Sequence, residues 1–257
     1  MGGGSPWLVA EAIGLLVAVY MPAFAVASLG FSFWESRTPQ TGESPRITAL
    51  PMFLTIGVSL AMALLLMAIV SRGDFASFGF RGVPAQAMWR SLFLGLGFGT
   101  ALALLALLWR AHLPFVEAIP RWQLILLAWV ATPFQEEVIF RGLFQGILER
   151  ASLGDVHIWG WAISVEALIA AVAFALVHLN LRTTGAMWRT TIFTVVGALI
   201  LGLLAGYFRW QTGSLVPCFI VHALFNVSGT LADWIKPRRA QGTHQAASGC
   251  VIVIRGP

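Results

Sequence analysis

Charge is what this chain of 257 residues has least of. Charged side chains make up 11% of it, where a soluble domain carries roughly 25%. Together with 58% hydrophobic residues, that scarcity excludes an intrinsically disordered chain. Cysteine is nearly absent too, with Cys218 in an apolar run and Cys250 near the end. Two cysteines so placed exclude a disulfide-stapled secreted domain, and neither is assigned a redox role. Among 16 cationic residues only Lys236 is lysine, and most arginines lie between apolar runs or in the final 20 or so residues. They read as topology signals rather than as the basic face of a nucleic-acid binder, even with a net charge of +5. No cation precedes Arg37, and Pro6 stands where a myristoylation signal takes Ser or Thr. Neither a cleaved signal peptide nor N-acylation is expected. The Arg-rich, Lys-poor balance points to a GC-rich prokaryotic source.

What is present in quantity is apolar sequence. The mean hydropathy is +0.81, and it comes from runs near the length of about 20 residues that crosses a bilayer as helix. Runs at about 7–30, 50–70, 91–109, 122–150, 160–179, 188–208 and 214–234 give an all-α, multi-pass transmembrane bundle of seven helices, or eight, enclosing an intramembrane cavity. Residues 71–90 mix Arg72, Asp74, Arg81 and Arg90 with Phe75, Phe78 and Phe80, an interfacial pattern. All but Trp129 of the 11 tryptophans fall near the ends of these runs, where indole prefers the headgroup level. The chain reads as one membrane domain over 1–236 followed by a polar tail over 237–257, with the cationic bias placing that tail in the cytoplasm of a cell with an inner membrane.

Polar residues inside apolar runs need a reason, because each charge costs about 2.5 to 3.5 kcal/mol at the centre of a membrane helix. Glu136, Glu137 and Arg141 share one run. Glu137 and Arg141 lie one helical turn apart and can pair, whereas Glu136 points away from that pair. Pro133 is expected to kink the helix and open space beside Glu136. His178 ends one later run, and His222 and Asn226 project from a single face of the last, one turn after Pro217. The chemistry that fits is amide hydrolysis: Glu136 takes a proton from water, His178 orients that water, and His222 with Asn226 stabilises the oxyanion.

Glu136-Glu137-x-x-x-Arg141, Phe174-x-x-x-His178 and His222-x-x-x-Asn226, in that order on successive membrane helices, resemble the three motifs of the CAAX protease and bacteriocin-processing enzyme family, the group of type II prenyl endopeptidases and their prokaryotic relatives. The resemblance covers about residues 120–230, with Gly79-Phe80-Arg81-Gly82 loosely similar to a short family element before a span. It implies an intramembrane glutamate-type endopeptidase acting on a membrane-associated protein or peptide, with no cofactor and no nucleic-acid partner. It carries the catalytic roles to Glu136, His178, His222 and Asn226, and supporting roles to Glu137, Arg141 and Phe174.

Other readings of the same residues exist. Glu136, His178 and His222 make a two-His, one-Glu zinc set with an open water position, although the His-Glu-x-x-His spacing of zinc peptidases is absent. A transporter or proton relay would use the same titratable groups, but expects paired broken helices in related halves, which the sequence does not show. A non-catalytic scaffold would have no need of the complete motif set. His112, His157 and His244 read as solvated or interfacial side chains, and Glu11 and Glu166 as packed or cavity-lining carboxylates. Cys250-Val-Ile-Val is followed by further residues, so no terminal prenylation box is expected.

Overall fold

The apolar runs fold as helices because only a helix satisfies its own backbone N–H and C=O groups in hydrocarbon. A computed structural model of the chain describes residues 6–37, 49–109, 119–158, 160–179 and 187–235. Helices α1 (Pro6–Arg37), α2 (Leu50–Ser71) and α3 (Ala85–Trp109) come first. They are followed by a longer helical run, α4, over 121–151. A two-stranded hairpin, β1 (Asp155–Ile158) and β2 (Trp161–Ser164), leads into α5 (Val165–Val177), and α6 (Met187–Thr212) and α7 (Val216–Ile235) complete the bundle. Among the described residues five helices, α1, α2, α3, α6 and α7, are long and apolar enough to cross a membrane. Together with the family finding below, they make this a multi-pass membrane protein.

The other two runs depart from simple spans for definable reasons. The second half of the α4 run is not lipid-facing: every residue from Val138 to Leu148 is buried, wrapped by α1, α2, α5, α6 and α7. Protein, not lipid, surrounds its charges, which is how they are tolerated at depth. The run at 160–179 begins as β-structure. Alternating Val156 and Ile158 pair antiparallel with Ile163 and Trp161 around a turn at Gly160, where φ is +81°. The Ser164 hydroxyl then accepts from Ala167 N at 3.1 Å and starts the 13-residue α5. Pro217 likewise leaves its helix intact, because α7 starts at Val216 and the ring occupies the first turn, where no N–H is needed.

Glycine sets the closest helix approaches. A Cβ at Gly95 would lie 3.1 Å from Val221 Cα, and one at Gly99 would lie 3.1 Å from the Leu224 carbonyl oxygen. The backbones of α3 and α7 therefore touch along a Gly-x-x-x-Gly stripe. Gly202 does the same for α6 against α5, where an added Cβ would meet Ala171 Cα at 3.0 Å. The loop over 79–82 docks on the α6–α7 turn: Leu215 N donates to Gly79 O at 3.0 Å, Ser214 Oγ to Arg81 O at 2.7 Å and Arg81 Nε to Gly213 O at 2.8 Å. These contacts hold α7 and the end of α5 against α4, where the motif residues lie.

Candidate active site

The two adjacent carboxylates of α4 have different surroundings. Glu137 is 1% exposed, its Oε2 lies 3.3 Å from Arg141 Nε, and its Oε1 lies 2.7 Å from His222 Nδ1. Arg141 is fully buried, donates from Nη2 to Gly202 O at 3.2 Å, and holds its guanidinium carbon 4.5 Å from the Phe174 ring centre. That ring supplies a cation–π face to the buried charge. It also sits edge-on to the imidazoles of His178 at 4.7 Å and His222 at 5.7 Å between centres, so Phe174 spaces the polar groups of α4, α5 and α7.

Glu136 is more open, with 18% of its side chain exposed, and its Oε2 lies 3.6 Å from His222 Nε2. Glu136 makes no contact with the Glu137–Arg141 pair itself, but one imidazole links them, meeting Glu137 at one nitrogen and Glu136 at the other. Helical spacing separates the two carboxylates on α4, but a ring approaching from α7 is wide enough to touch both.

His178 sits at the C-terminal end of α5 with Nδ1 2.8 Å from the Phe174 carbonyl oxygen. A carbonyl only accepts, so the proton is on Nδ1 and the Nε2 lone pair of a neutral ring is an acceptor. His178 and Glu136 are not in direct contact in this structure; the imidazole against Glu136 is that of His222.

The partner of Asn226 follows from the way α4 is wound. Residues Leu126–Ala131 form a π-helical segment, and the N–H that follows it, Thr132 N, bonds to Leu127 O. The Ala128 carbonyl thus loses its usual donor four residues on, and the residue five on is Pro133, which has no N–H. Asn226 Nδ2 fills the vacancy at 2.8 Å. One amide hydrogen of Asn226 is thereby committed to joining α7 to α4, and one remains. Pro133 acts here through a change of helical winding and an orphaned carbonyl, which periodicity alone does not reveal.

Two cavities flank these residues. One of about 720 Å³ lies between α1, α2 and α4 and reaches Glu136, Gln135 and Tyr20. The other, of about 270 Å³, lies between α3, α4, α5, α6 and α7 and is lined by His178, His222 and Asn226. The Glu136–His222 contact joins the two walls. Tyr20 and Gln135 were not singled out by sequence reasoning; the available signal was that tyrosine occurs only twice in the chain, once deep in the first apolar run.

Glu136, His178 and His222 do not stand together as a ligand set here. Among the described residues no three His, Cys, Asp or Glu side chains are grouped closely enough to hold a metal ion. Of the remaining candidates, Glu166 is 4% exposed and accepts from Leu153 N at 2.6 Å, tying the hairpin to α5. His157 is exposed beside Asp155, and Glu11 is exposed on α1. His112, His244, Cys250 and the tail over 237–257 lie outside the described residues.

Residues 117–228 match the family model described as type II CAAX prenyl endopeptidase Rce1-like. No curated protein and no solved structure matches the chain. The matched segment contains α4 through most of α7 and so all seven motif side chains, while α1, α2 and α3 lie outside it. Over residues 117–228 the chain is thus similar to the Rce1-like type II CAAX prenyl endopeptidases, a family of membrane proteases that act on membrane-associated peptides.

Proposed function

We propose that this membrane endopeptidase hydrolyses its substrate with a glutamate-activated water and without a metal ion. The observation that carries the reading is the chain of contacts from Arg141 through Glu137 and His222 to Glu136 at a cavity wall. A buried ion pair holds one end of the imidazole, so its other nitrogen is fixed beside a partly exposed carboxylate. Such a fixed constellation is what general-base catalysis requires.

In this mechanism Glu136 takes a proton from a water molecule that also donates to the Nε2 lone pair of His178. The resulting hydroxide adds to the scissile carbonyl carbon. The oxyanion accepts from the second amide hydrogen of Asn226 and from His222 Nε2, which donates as imidazolium while Nδ1 donates to Glu137. Glu136 then returns the proton to the leaving amine as the C–N bond breaks. Glu137, Arg141 and Phe174 position these groups without touching the substrate. The site lies in the cell membrane of a prokaryote, with the tail on the cytoplasmic side.

The test compares the termini of membrane proteins, by mass spectrometry, in cells carrying the native chain or Glu136→Ala at equal abundance. A terminus present only with Glu136 is expected, and it names the substrate. Unchanged termini across growth conditions overturn the reading in favour of a transport or scaffold role. Activity lost on chelation and restored by zinc overturns the metal-free mechanism alone.

A further inference from the structure

The larger cavity is apolar along Ala23, Ala27, Met52, Ile56 and Leu127, yet it includes a polar strip next to Glu136. Gln135 Nε2 donates to Ser59 Oγ at 3.0 Å, and Ser59 in turn donates to the backbone of its own helix at Thr55 O, 2.9 Å away. Tyr20, which α1 brings in from outside the family-matched segment, lines the same cavity as Gln135. The Tyr20 ring rests against Phe140 at 6.2 Å between centres. Three helices thus converge on one strip of hydrogen-bonding groups in a wall that is otherwise hydrocarbon.

Polar groups at such depth are costly unless something uses them. A peptide held for cleavage has that use: it must be extended, and in a low-dielectric cavity its own N–H and C=O groups lack water. One hydrogen of the Gln135 amide is directed at Ser59, which leaves its carbonyl oxygen as an acceptor. The Tyr20 hydroxyl, lining the same cavity, carries a hydrogen as a donor. One acceptor and one donor side by side complement the N–H and C=O of a single extended residue.

We propose that Tyr20 and Gln135 form a main-chain-reading subsite for an extended, apolar peptide segment, the Tyr20 hydroxyl donating to a substrate carbonyl and the Gln135 carbonyl accepting a substrate N–H beside the bond presented to Glu136. This rests on the endopeptidase reading for the identity of the ligand. Tyr20 is then a specificity and positioning residue supplied by α1, and Ser59 fixes Gln135 without touching the peptide.

The experiment uses the full chain in detergent with Glu136→Gln, so that bound peptide stays intact. Its probes are a fluorescein-labelled decapeptide of Ala, Val and Leu and a series in which one amide at a time is replaced by an ester, read by anisotropy. An ester removes one N–H and weakens one acceptor. Adding Tyr20→Phe is expected to weaken binding of the all-amide peptide about 3- to 10-fold, the worth of one neutral hydrogen bond. Two neighbouring ester positions should weaken binding in the Tyr20 protein: the one that removes the N–H read by Gln135 keeps its effect in the Phe protein, whereas the one that weakens the carbonyl read by Tyr20 has no further effect there. Ser59→Ala should give a smaller loss with the same position dependence.

Equal binding by the Tyr20 and Phe proteins, an equal loss at every ester position, or no binding at all would overturn the subsite. Cleavage of the same all-amide peptide by the protein with Glu136 restored reports separately on catalysis. Binding with the expected position dependence but no cleavage would refute the hydrolytic reading and leave the subsite standing.

Discussion

Removing the charge of Glu137 separates its two duties. Glu137→Gln keeps the volume and an oxygen able to accept from His222 Nδ1, but leaves Arg141 without its counter-ion. Arg141 is fully buried, and what remains to it is one bond to Gly202 O at 3.2 Å and the Phe174 ring; its Nη1 has no hydrogen-bond partner among the described residues. Stranding one member of a buried pair costs about 3 to 5 kcal/mol, which for a domain of this size lowers the melting temperature by roughly 6 to 20 °C. Arg141→Met alone strands Glu137 and should cost a similar amount. The double variant buries no unpaired charge, so it should return to within about 2 kcal/mol of the parent, because apolar replacements of buried pairs are often near neutral. It should still be inactive, since His222 has lost its carboxylate. Thermal unfolding of the four purified proteins in detergent, with cleavage of an identified substrate, completes the cycle. Additive losses in the double variant, or a Glu137→Gln protein that melts like the parent, would refute the assignment of Glu137 to an ion pair that organises the site.

Other consequences follow from the same geometry. Glu136→Gln should abolish cleavage while leaving melting and membrane abundance close to the parent, since Glu136 is partly exposed and its contact to His222 is long at 3.6 Å; an active variant would remove Glu136 as the base. Asn226→Ala should lower turnover by roughly 10² to 10³ as the loss of one oxyanion donor and should also cost about 1 to 3 kcal/mol through the orphaned Ala128 carbonyl. Normal turnover with lowered stability would confine Asn226 to joining the helices. Arg209→Lys should destabilise by about 2 to 3 kcal/mol, because the guanidinium serves Arg141 O at 3.2 Å, Ser77 O at 3.0 Å and Glu149 Oε2 at 3.1 Å, three directions that one ammonium cannot cover equally; unchanged melting would contradict this. Gly99→Val should separate α3 from α7 and reduce cleavage, read against a Gly97→Ala control, where an added Cβ meets nothing within 4 Å.

The sequence by itself determined the membrane class and the residues of interest. Hydrocarbon forces long apolar helices, and charge inside them is expensive enough that Glu136, Glu137, Arg141, His178, His222 and Asn226 are conspicuous without coordinates. Their motif order was sufficient to indicate the family. Spacing along a single helix also indicated the Glu137–Arg141 pair, because an i, i+4 contact is local. Tertiary structure alone decided that His222 reaches both carboxylates, that the second half of α4 is wrapped in protein, and that Tyr20 and Gln135 line one cavity, since each depends on how helices far apart in sequence pack together. The hairpin before α5 and the π-helical segment before Pro133 were hidden for a related reason. Hydropathy averages over a window, whereas a single turn glycine or a missing N–H changes which backbone group is left in need of a partner.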